Sequence, residues 1–455
     1  MREYLLAMTV GLAVTLLLGG PVRALAVRLG LVPVIRERDV HVTPTPRVGG
    51  LAMFIGLAAA LTVAGRFPML ERDVYGESNT IEALLWGTFL VVVLGMVDDK
   101  FELDPLTKFA GQIFAASVMV VKGIQVSWLV IPGIGIVAVD PTLSIVLSVF
   151  LVLALMNAVN FVDGMDGLAA GISGIAALAS FAYCYRLAIS YKLTGATAPA
   201  LIAIVTVGIC LGFLAHNWDP ARMFMGDTGS MLLGMLLAAT SITIMGGIDP
   251  YQLGAGLSQT DSVHKLVPAY LPLIMPISVT LLPIADMVMA VVRRTKAGMS
   301  PLAADKGHLH HRMLQIGHSK RRAVLIMYFW SALVAFVTVL FAVTPSRQPI
   351  VYGFIGMLLV GLVLLLGPRL GDHRERLRNK ALRVGSAPTA RHRANTGGNG
   401  AAAEAGPGPG PGSGPGSGPA VGTGAGPQTP AVETKNIPAI ATSTENPGQR
   451  RTLSR

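Results

Sequence analysis

Four polar clusters interrupt an otherwise apolar chain, and their residue types bear on phosphate and metal chemistry. The first is Gly95-Met96-Val97-Asp98-Asp99-Lys100. Adjacent carboxylates at the end of an apolar segment repel each other and sit at the unfavourable end of a helix dipole. A divalent cation or a basic substrate would relieve that; a solvated helix end paired with Lys100 would explain it equally. Lys108 opens the next apolar run, where it could reach a phosphate. In the second cluster, Asn157, Asn160, Asp163 and Asp166 recur every third residue. That spacing aligns them on one helical face, with Gly164 and Gly167 loosening the regularity. Charge at the centre of a membrane helix costs roughly 2.5–3.5 kcal/mol. A polar cap with Asp166 as N-cap is the plainer reading, but two Asn and two Asp exceed what a cap needs.

The third cluster runs from Asn217-Trp218-Asp219 through Arg222 and Phe224 to Gly226-Asp227-Thr228-Gly229-Ser230. Gly226 and Gly229 free the backbone to present N–H groups at a helix start, a geometry that favours phosphate. Asp227 would repel phosphate unless a metal bridges them, so the combination points to a metal–pyrophosphate site; a simple N-cap is the alternative. The fourth is Asp305-Lys306-Gly307-His308-Leu309-His310-His311-Arg312. Three His could bind zinc, but the neighbouring ligands are hard carboxylates and no cysteine joins them. With Lys306 and Arg312 beside them, they fit phosphate or carboxylate oxygens better. Thr45, in Thr43-Pro44-Thr45-Pro46-Arg47 before Gly49-Gly50, is by itself a turn signal.

The elements that must position these residues are membrane helices. The chain of 455 residues is 52% hydrophobic and 13% charged, half the charge of a typical soluble domain at about 25%, and its mean hydropathy is +0.60. The net charge of +11 lies in loops between apolar runs, which suits a membrane protein better than a nucleic-acid binder. On a template of about 20 apolar residues, spans fall near 4–22, 49–65, 81–97, 107–121, 142–159, 167–187, 199–215, 228–246, 268–292, 324–343 and 350–367. The expected architecture is an all-α polytopic protein of about eleven helices, with a short external β-hairpin near 126–139, where the run is β-branched and broken by Pro132-Gly133. Arg23, Arg28, Arg36, Arg38 and Arg47 mark one loop as cytoplasmic, and Arg293, Arg294, Lys296, Lys306, Arg312 and Lys320–Arg322 another. The N-terminus is then outside, as a retained first span, and the C-terminus inside. Cys184 and Cys210 fall within apolar runs and read as packing residues. A multi-pass catalytic domain is expected over 1–368, and a disordered, Gly/Pro/Ala-rich cytoplasmic tail over 369–455.

With this topology all four clusters face the cytoplasm, as a site for a polyanion and a hard divalent ion. A transporter such as a lipid-linked-sugar flippase would place polar residues on both sides, and a non-catalytic scaffold would not need four such loops.

In this order and between these spans, the motifs Asp98-Asp99, Asn157-x-x-Asn160-x-x-Asp163-Gly164-x-Asp166-Gly167, Phe224-Met225-Gly226-Asp227-Thr228-Gly229-Ser230 and His308-x-His310-His311 resemble those of the polyprenyl-phosphate N-acetylhexosamine-1-phosphate transferases, glycosyltransferase family 4. The likeness covers about 1–367. It is greatest to the branch that moves GlcNAc-1-phosphate from UDP-GlcNAc to undecaprenyl or decaprenyl phosphate, the initiating step of a bacterial cell-wall or surface glycopolymer; the sister branch transfers phospho-MurNAc-pentapeptide. Lys306 stands where Arg is common in the GlcNAc branch. The resemblance implies Mg²⁺, with Mn²⁺ as a substitute, and Asp227 as its direct ligand. Asp98 and Asp99 would lie at the reaction centre, one near the metal or the lipid phosphate, and Asp163 and Asn160 would border metal and nucleotide. Asp166, Asn217 and Phe224 would form the uridine pocket. Thr45, Lys108, Lys306, His308, His310, His311 and Arg312 would lie at or near the phosphates. It further implies a bacterial plasma-membrane enzyme, and a homodimer is expected of this family.

Overall fold

The computed structural model describes residues 1–29, 45–76, 79–131, 134–190, 192–249, 319–343 and 350–362, with isolated positions at 292–298 and 348. Its helices are α1 (Arg2–Arg28), α2 (Gly49–Ala64), α3 (Thr80–Phe101), α4 (Pro105–Val121), α5 (Pro141–Val162), α6 (Leu168–Ser190), α7 (Thr197–Asn217), α8 (Gly226–Gly247), α9 (Lys320–Val343) and α10 (Ile350–Leu362). Among the described residues seven helices are long and apolar enough to cross a membrane, or eight if α2 and the turns over Pro68–Tyr75, bent from it by 84°, form one span. The chain is therefore a helical multi-pass membrane protein. The α4 helix, 17 residues long, and α10 are shorter apolar helices. The expected span 268–292, the tail 369–455 and the fourth motif lie outside the described residues.

Local chemistry sets the helix ends. Asp104 caps α4, its Oδ1 accepting from the N–H of Leu106 and of Thr107 at 3.1 Å, with Pro105 at the first helical position. Asp140 and Pro141 do the same for α5. Two boundaries differ from the sequence expectation, and both matter for the site. The α3 helix runs on through Asp98 and Asp99 to Phe101, and α5 runs on through Asn160 to Val162. The apolar runs stop earlier because polar partners from neighbouring helices, rather than lipid, meet these last turns.

The α8 helix is the axis of the bundle. Its most apolar stretch is 94% buried, and α2, α3, α5, α6 and α7 all pack on it. The α1 helix packs on α2 and α7, and α9 on α6. Small residues let backbones approach closely. A side chain at Gly95 of α3 would collide with the backbone of Thr228 in α8, and one at Gly234 of α8 with the backbone of Met156 in α5. Hydroxyls inside helices bond back to carbonyls four residues earlier, as Thr88, Ser148, Thr206 and Thr240 do, which pairs these groups within their own helices. Cys184 and Cys210 are buried and free, as expected.

The expected hairpin forms. Strand β1 (Trp128–Ile131) pairs antiparallel with β2 (Gly135–Ala138), Trp128 opposite Ala138. Trp128 Nε1 donates to the carbonyl of Ile248, and Ser127 N–H to that of Met245, so the hairpin sits over the end of α8. The connectors 102–104, 163–167 and 218–225 meet at the opposite end of α8.

Candidate active site

Among the described residues, the ends of α3, α4 and α5 converge on the start of α8. There Asp98, on the last turn of α3, is 5% exposed and accepts from the N–H of Leu103 at 3.0 Å. Lys108, on the first turn of α4, lies between two carboxylates: its Nζ is 2.7 Å from Asp98 Oδ2 and 2.9 Å from Asp227 Oδ2. The other oxygen of Asp227 accepts from Asn160 Nδ2, which also donates to Ser230 Oγ at 2.9 Å. Asn160 thus has its amide oxygen left as an acceptor. The residues of three motifs, from α3, α5 and α8, occupy one cluster with Lys108.

Asp99, beside Asp98 on the last turn of α3, faces the start of α8. Its Oδ1 accepts from the N–H of Asp227 at 2.8 Å, and its Oδ2 from the N–H and hydroxyl of Thr228 at 3.1 and 2.7 Å. The carboxylate of one helix end caps the start of another. The backbone donors that the glycines of the third motif were expected to offer to phosphate are thereby taken by the protein's own anion. Gly226 makes the turn into α8 at φ +68°, and a Cβ there would collide with Asp99 and the carbonyl of Arg47.

The every-third-residue row does not continue beyond α5. Asp163 ends the helix, and Asp166 lies in the turn before α6. Asp163 is half-buried, and among the described residues no donor reaches its carboxylate. Burial, then the negative Asp227, Asp99 and Asp166, push its pKa up to about 7 against the opposing pull of Arg47. Asp166 Oδ2 accepts from the N–H of Ala221 at 3.0 Å. Asn217, 2% exposed, accepts from the N–H of Gly167 at 2.9 Å and donates to the carbonyl of Met223 at 3.0 Å. Both side chains tie the 163–167 turn to the 218–225 loop. That loop also pairs with the segment before α2: Phe224 N–H donates to Pro46 O, while Phe224 O and Met225 O accept from Gly49 and Gly50. Phe224 is half-buried and Thr45 buried beside this pairing.

Several participants were not singled out from the sequence. Gln112 of α4 accepts from Asn157 Nδ2 at 3.0 Å, behind Asn160. Arg321 and Tyr328 of α9 grip the two loops. A lone Gln in an apolar run signals Gln112, whereas Arg321 is masked by its basic neighbours Lys320 and Arg322. Lys306, His308, His310, His311 and Arg312 lie outside the described residues.

Fold and site define a helical membrane protein with an acidic, lysine-bridged cluster at one end of its bundle. The model of glycosyl transferase family 4 matches residues 81–245, the stretch that carries Asp98 through Asp227. The chain is 44% identical over 379 residues, covering 81% of it and 89% of the relative, to a decaprenyl-phosphate N-acetylglucosaminephosphotransferase of Mycolicibacterium smegmatis. A probable undecaprenyl-phosphate N-acetylglucosaminyl 1-phosphate transferase of Bacillus subtilis is 31% identical over 72% of the chain and 82% of its own. A phospho-N-acetylmuramoyl-pentapeptide-transferase of Mycolicibacterium smegmatis is 32% identical over 56% of the chain and 80% of its own. The chain belongs to glycosyl transferase family 4.

Proposed function

We propose that this protein transfers GlcNAc-1-phosphate from UDP-GlcNAc to a polyprenyl phosphate and releases UMP, in a bacterial plasma membrane. The observation that carries the reading is the gathering of Asp98, Lys108, Asn160 and Asp227 from four helices into one cluster, in a chain alike over 81% of its length to a transferase named for that acceptor and sugar. The phospho-MurNAc-pentapeptide alternative is less favoured, because its relative matches 56% of the chain.

Asp227 and Asp98, with Asp163 and the amide oxygen of Asn160 nearby, offer hard oxygens of the kind that Mg²⁺, or Mn²⁺ in its place, would take as one or two protein ligands. Among the described residues no three His, Cys, Asp or Glu side chains are drawn together to hold a metal; Mg²⁺ needs only one or two carboxylates when substrate phosphates and waters complete its shell. Lys108 already bridges two of those carboxylates, as a cation does. When bound, the ion supplies neutralising charge to the diphosphate.

The lipid phosphate, with a second pKa near 6, is largely dianionic at pH 7. Its oxygen attacks the β-phosphorus, the bond from that phosphorus to the bridging oxygen breaks, and the electron pair leaves with UMP. No strong base is required; Asp98 takes any residual proton. Lys108 offsets the repulsion between the approaching polyanions. Asp99 holds Asp227 in place. Asp166, Asn217 and Phe224 frame the uridine, and Thr45, Lys306, His308, His310, His311 and Arg312 lie about the phosphates. The basic residues over 23–47 and 293–322 support a cytoplasmic location for the site. The N-terminus and the hairpin are then outside, about eleven helices span the bilayer, and the tail is inside. The enzyme is a homodimer in this reading.

Membranes carrying the protein, Mg²⁺ and polyprenyl phosphate are given labelled UDP-GlcNAc, or UDP-MurNAc-pentapeptide in a parallel arm. Label should enter the lipid fraction from UDP-GlcNAc, and Asp227→Ala should abolish it at unchanged protein level. Labelling by Asp227→Ala at the wild-type rate would refute the site; labelling from the pentapeptide donor alone would move the protein to the other branch.

A further inference from the structure

Two loops that frame the proposed uridine pocket are held from outside by α9, which among the described residues meets the site through these loops. Arg321, on the first turn of α9, donates from Nε to Asp219 Oδ2 at 3.1 Å and to the Asp219 carbonyl at 3.1 Å. Its Nη2 donates to the same carbonyl at 2.7 Å. Two turns on, the Tyr328 hydroxyl donates to the carbonyl of Gly167, and its ring fills the notch left by Gly171, where a Cβ would overlap it. The Tyr328 ring also lies 6.4 Å from that of Trp218, centroid to centroid. Asp219 and Gly167 directly flank the groups that join the loops, Asp166 with Ala221 N–H and Asn217 with Gly167 N–H.

We propose that Arg321 and Tyr328 form a clasp that positions the 163–167 turn and the 218–225 loop for the nucleotide half of the donor. The inference rests on the pocket assigned above to Asp166, Asn217 and Phe224. Arg321 is a positioning residue: it acts through Asp219, two residues from the buried Asn217 and two from Ala221. Its planar fork reaches a carboxylate oxygen and a carbonyl together, which a lysine ammonium cannot reproduce. The pair is partly solvent-exposed, with the Arg321 side chain 57% and the Asp219 side chain 23% accessible, so its loss costs little global stability. Its effect is local, on how often the two loops stand in the binding arrangement.

The test is steady-state kinetics of the full-length protein in membranes with UDP-GlcNAc and polyprenyl phosphate, beside thermal melting in detergent. Arg321→Ala should raise KM for UDP-GlcNAc about tenfold, the factor that ~1.4 kcal/mol of binding represents. The KM for polyprenyl phosphate should not move, kcat should change less than about twofold, and Tm should stay within about 3 °C. Arg321→Lys should recover only part of the loss. Arg321→Ala combined with Asp219→Ala should be no worse than Arg321→Ala alone. Tyr328→Phe should raise the same KM. Asp166→Asn serves as the direct control on the pocket. A wild-type KM in Arg321→Ala beside a raised KM in Asp166→Asn overturns the clasp alone. A wild-type KM in both removes the pocket, and the clasp with it. A large Tm loss in Arg321→Ala, with both KM values and kcat altered together and full recovery by Arg321→Lys, overturns the clasp in favour of general scaffolding.

Discussion

Replacing Lys108 by methionine keeps the unbranched stem of the side chain, shortens it by one atom and removes its charge. The Nζ lies 2.7 Å from Asp98 and 2.9 Å from Asp227, with Asp98 5% and Lys108 21% accessible. Without the ammonium, two carboxylates face each other across a few ångströms. At 4 Å and an effective dielectric near 20, such a pair repels by about 4 kcal/mol. Removing one member of a buried pair costs 3–5 kcal/mol. Asp227, 30% accessible, sheds part of this to solvent, so about 2–3 kcal/mol is expected. At roughly 2–4 °C per kcal/mol, the Tm of detergent-solubilised Lys108→Met in EDTA should fall by about 5–10 °C. Adding millimolar Mg²⁺ should restore more of that loss than it adds to wild type, because the ion replaces the missing positive charge. Turnover should drop at least about 100-fold, since the metal does not take over the lysine's place at the phosphates. A Tm equal to wild type in EDTA, or a deficit that Mg²⁺ leaves untouched, would refute the charge argument.

Asp99→Ala removes an acceptor of three hydrogen bonds at the start of α8. Stability should fall by about 2–4 kcal/mol by thermal melting, with loss of turnover as Asp227 shifts; a fully active variant would contradict the cap. Gly226→Ala puts a Cβ against Asp99 and the carbonyl of Arg47 at a φ of +68°. It should cost at least about 1–2 kcal/mol and most of the activity, and wild-type kinetics would show the turn to be adaptable. In EDTA, the Asp163 carboxyl titrates near 7 in the folded state, against about 3.9 unfolded. The folded state therefore holds this proton more tightly. Asp163 favours folding below about pH 4, and that contribution is lost as pH rises towards about 7. Asp163→Asn should gain on wild type over that window, on the order of a few kcal/mol at the top of it. Parallel melting curves from pH 4 to 8 would show that Asp163 is not the titrating group.

Much of the site could be read from residue types alone. Asp98, Asn160 and Asp227 are too polar for the ends of apolar runs, and they do meet around Lys108. The convergence could be anticipated because connectors at one end of an up-and-down bundle are neighbours. The partition of labour between Asp98 and Asp99 could not. The two residues share a type and a helix turn, yet one faces Lys108 and the other the N–H groups of α8; only the rotation of α3 against α8, fixed where Gly95 lets Thr228 approach, separates them. Hydropathy likewise misplaced the ends of α3 and α5, because it registers lipid contact and not the helix partners that satisfy Asp98 or Asn160.

By itself the sequence determined that this is a membrane chain of apolar helices, that its chemistry concerns phosphates, and which motifs carry it. Composition and spacing suffice there, because desolvating a charge near lipid is so costly that each one retained marks a function. Tertiary structure alone decided which polar groups are spent on one another: Asp99 on the start of α8, Asn217 and Asp166 on tying two loops, Arg321 on Asp219. Those pairings join residues up to 129 positions apart, and no local pattern encodes a partner that packing brings from another helix.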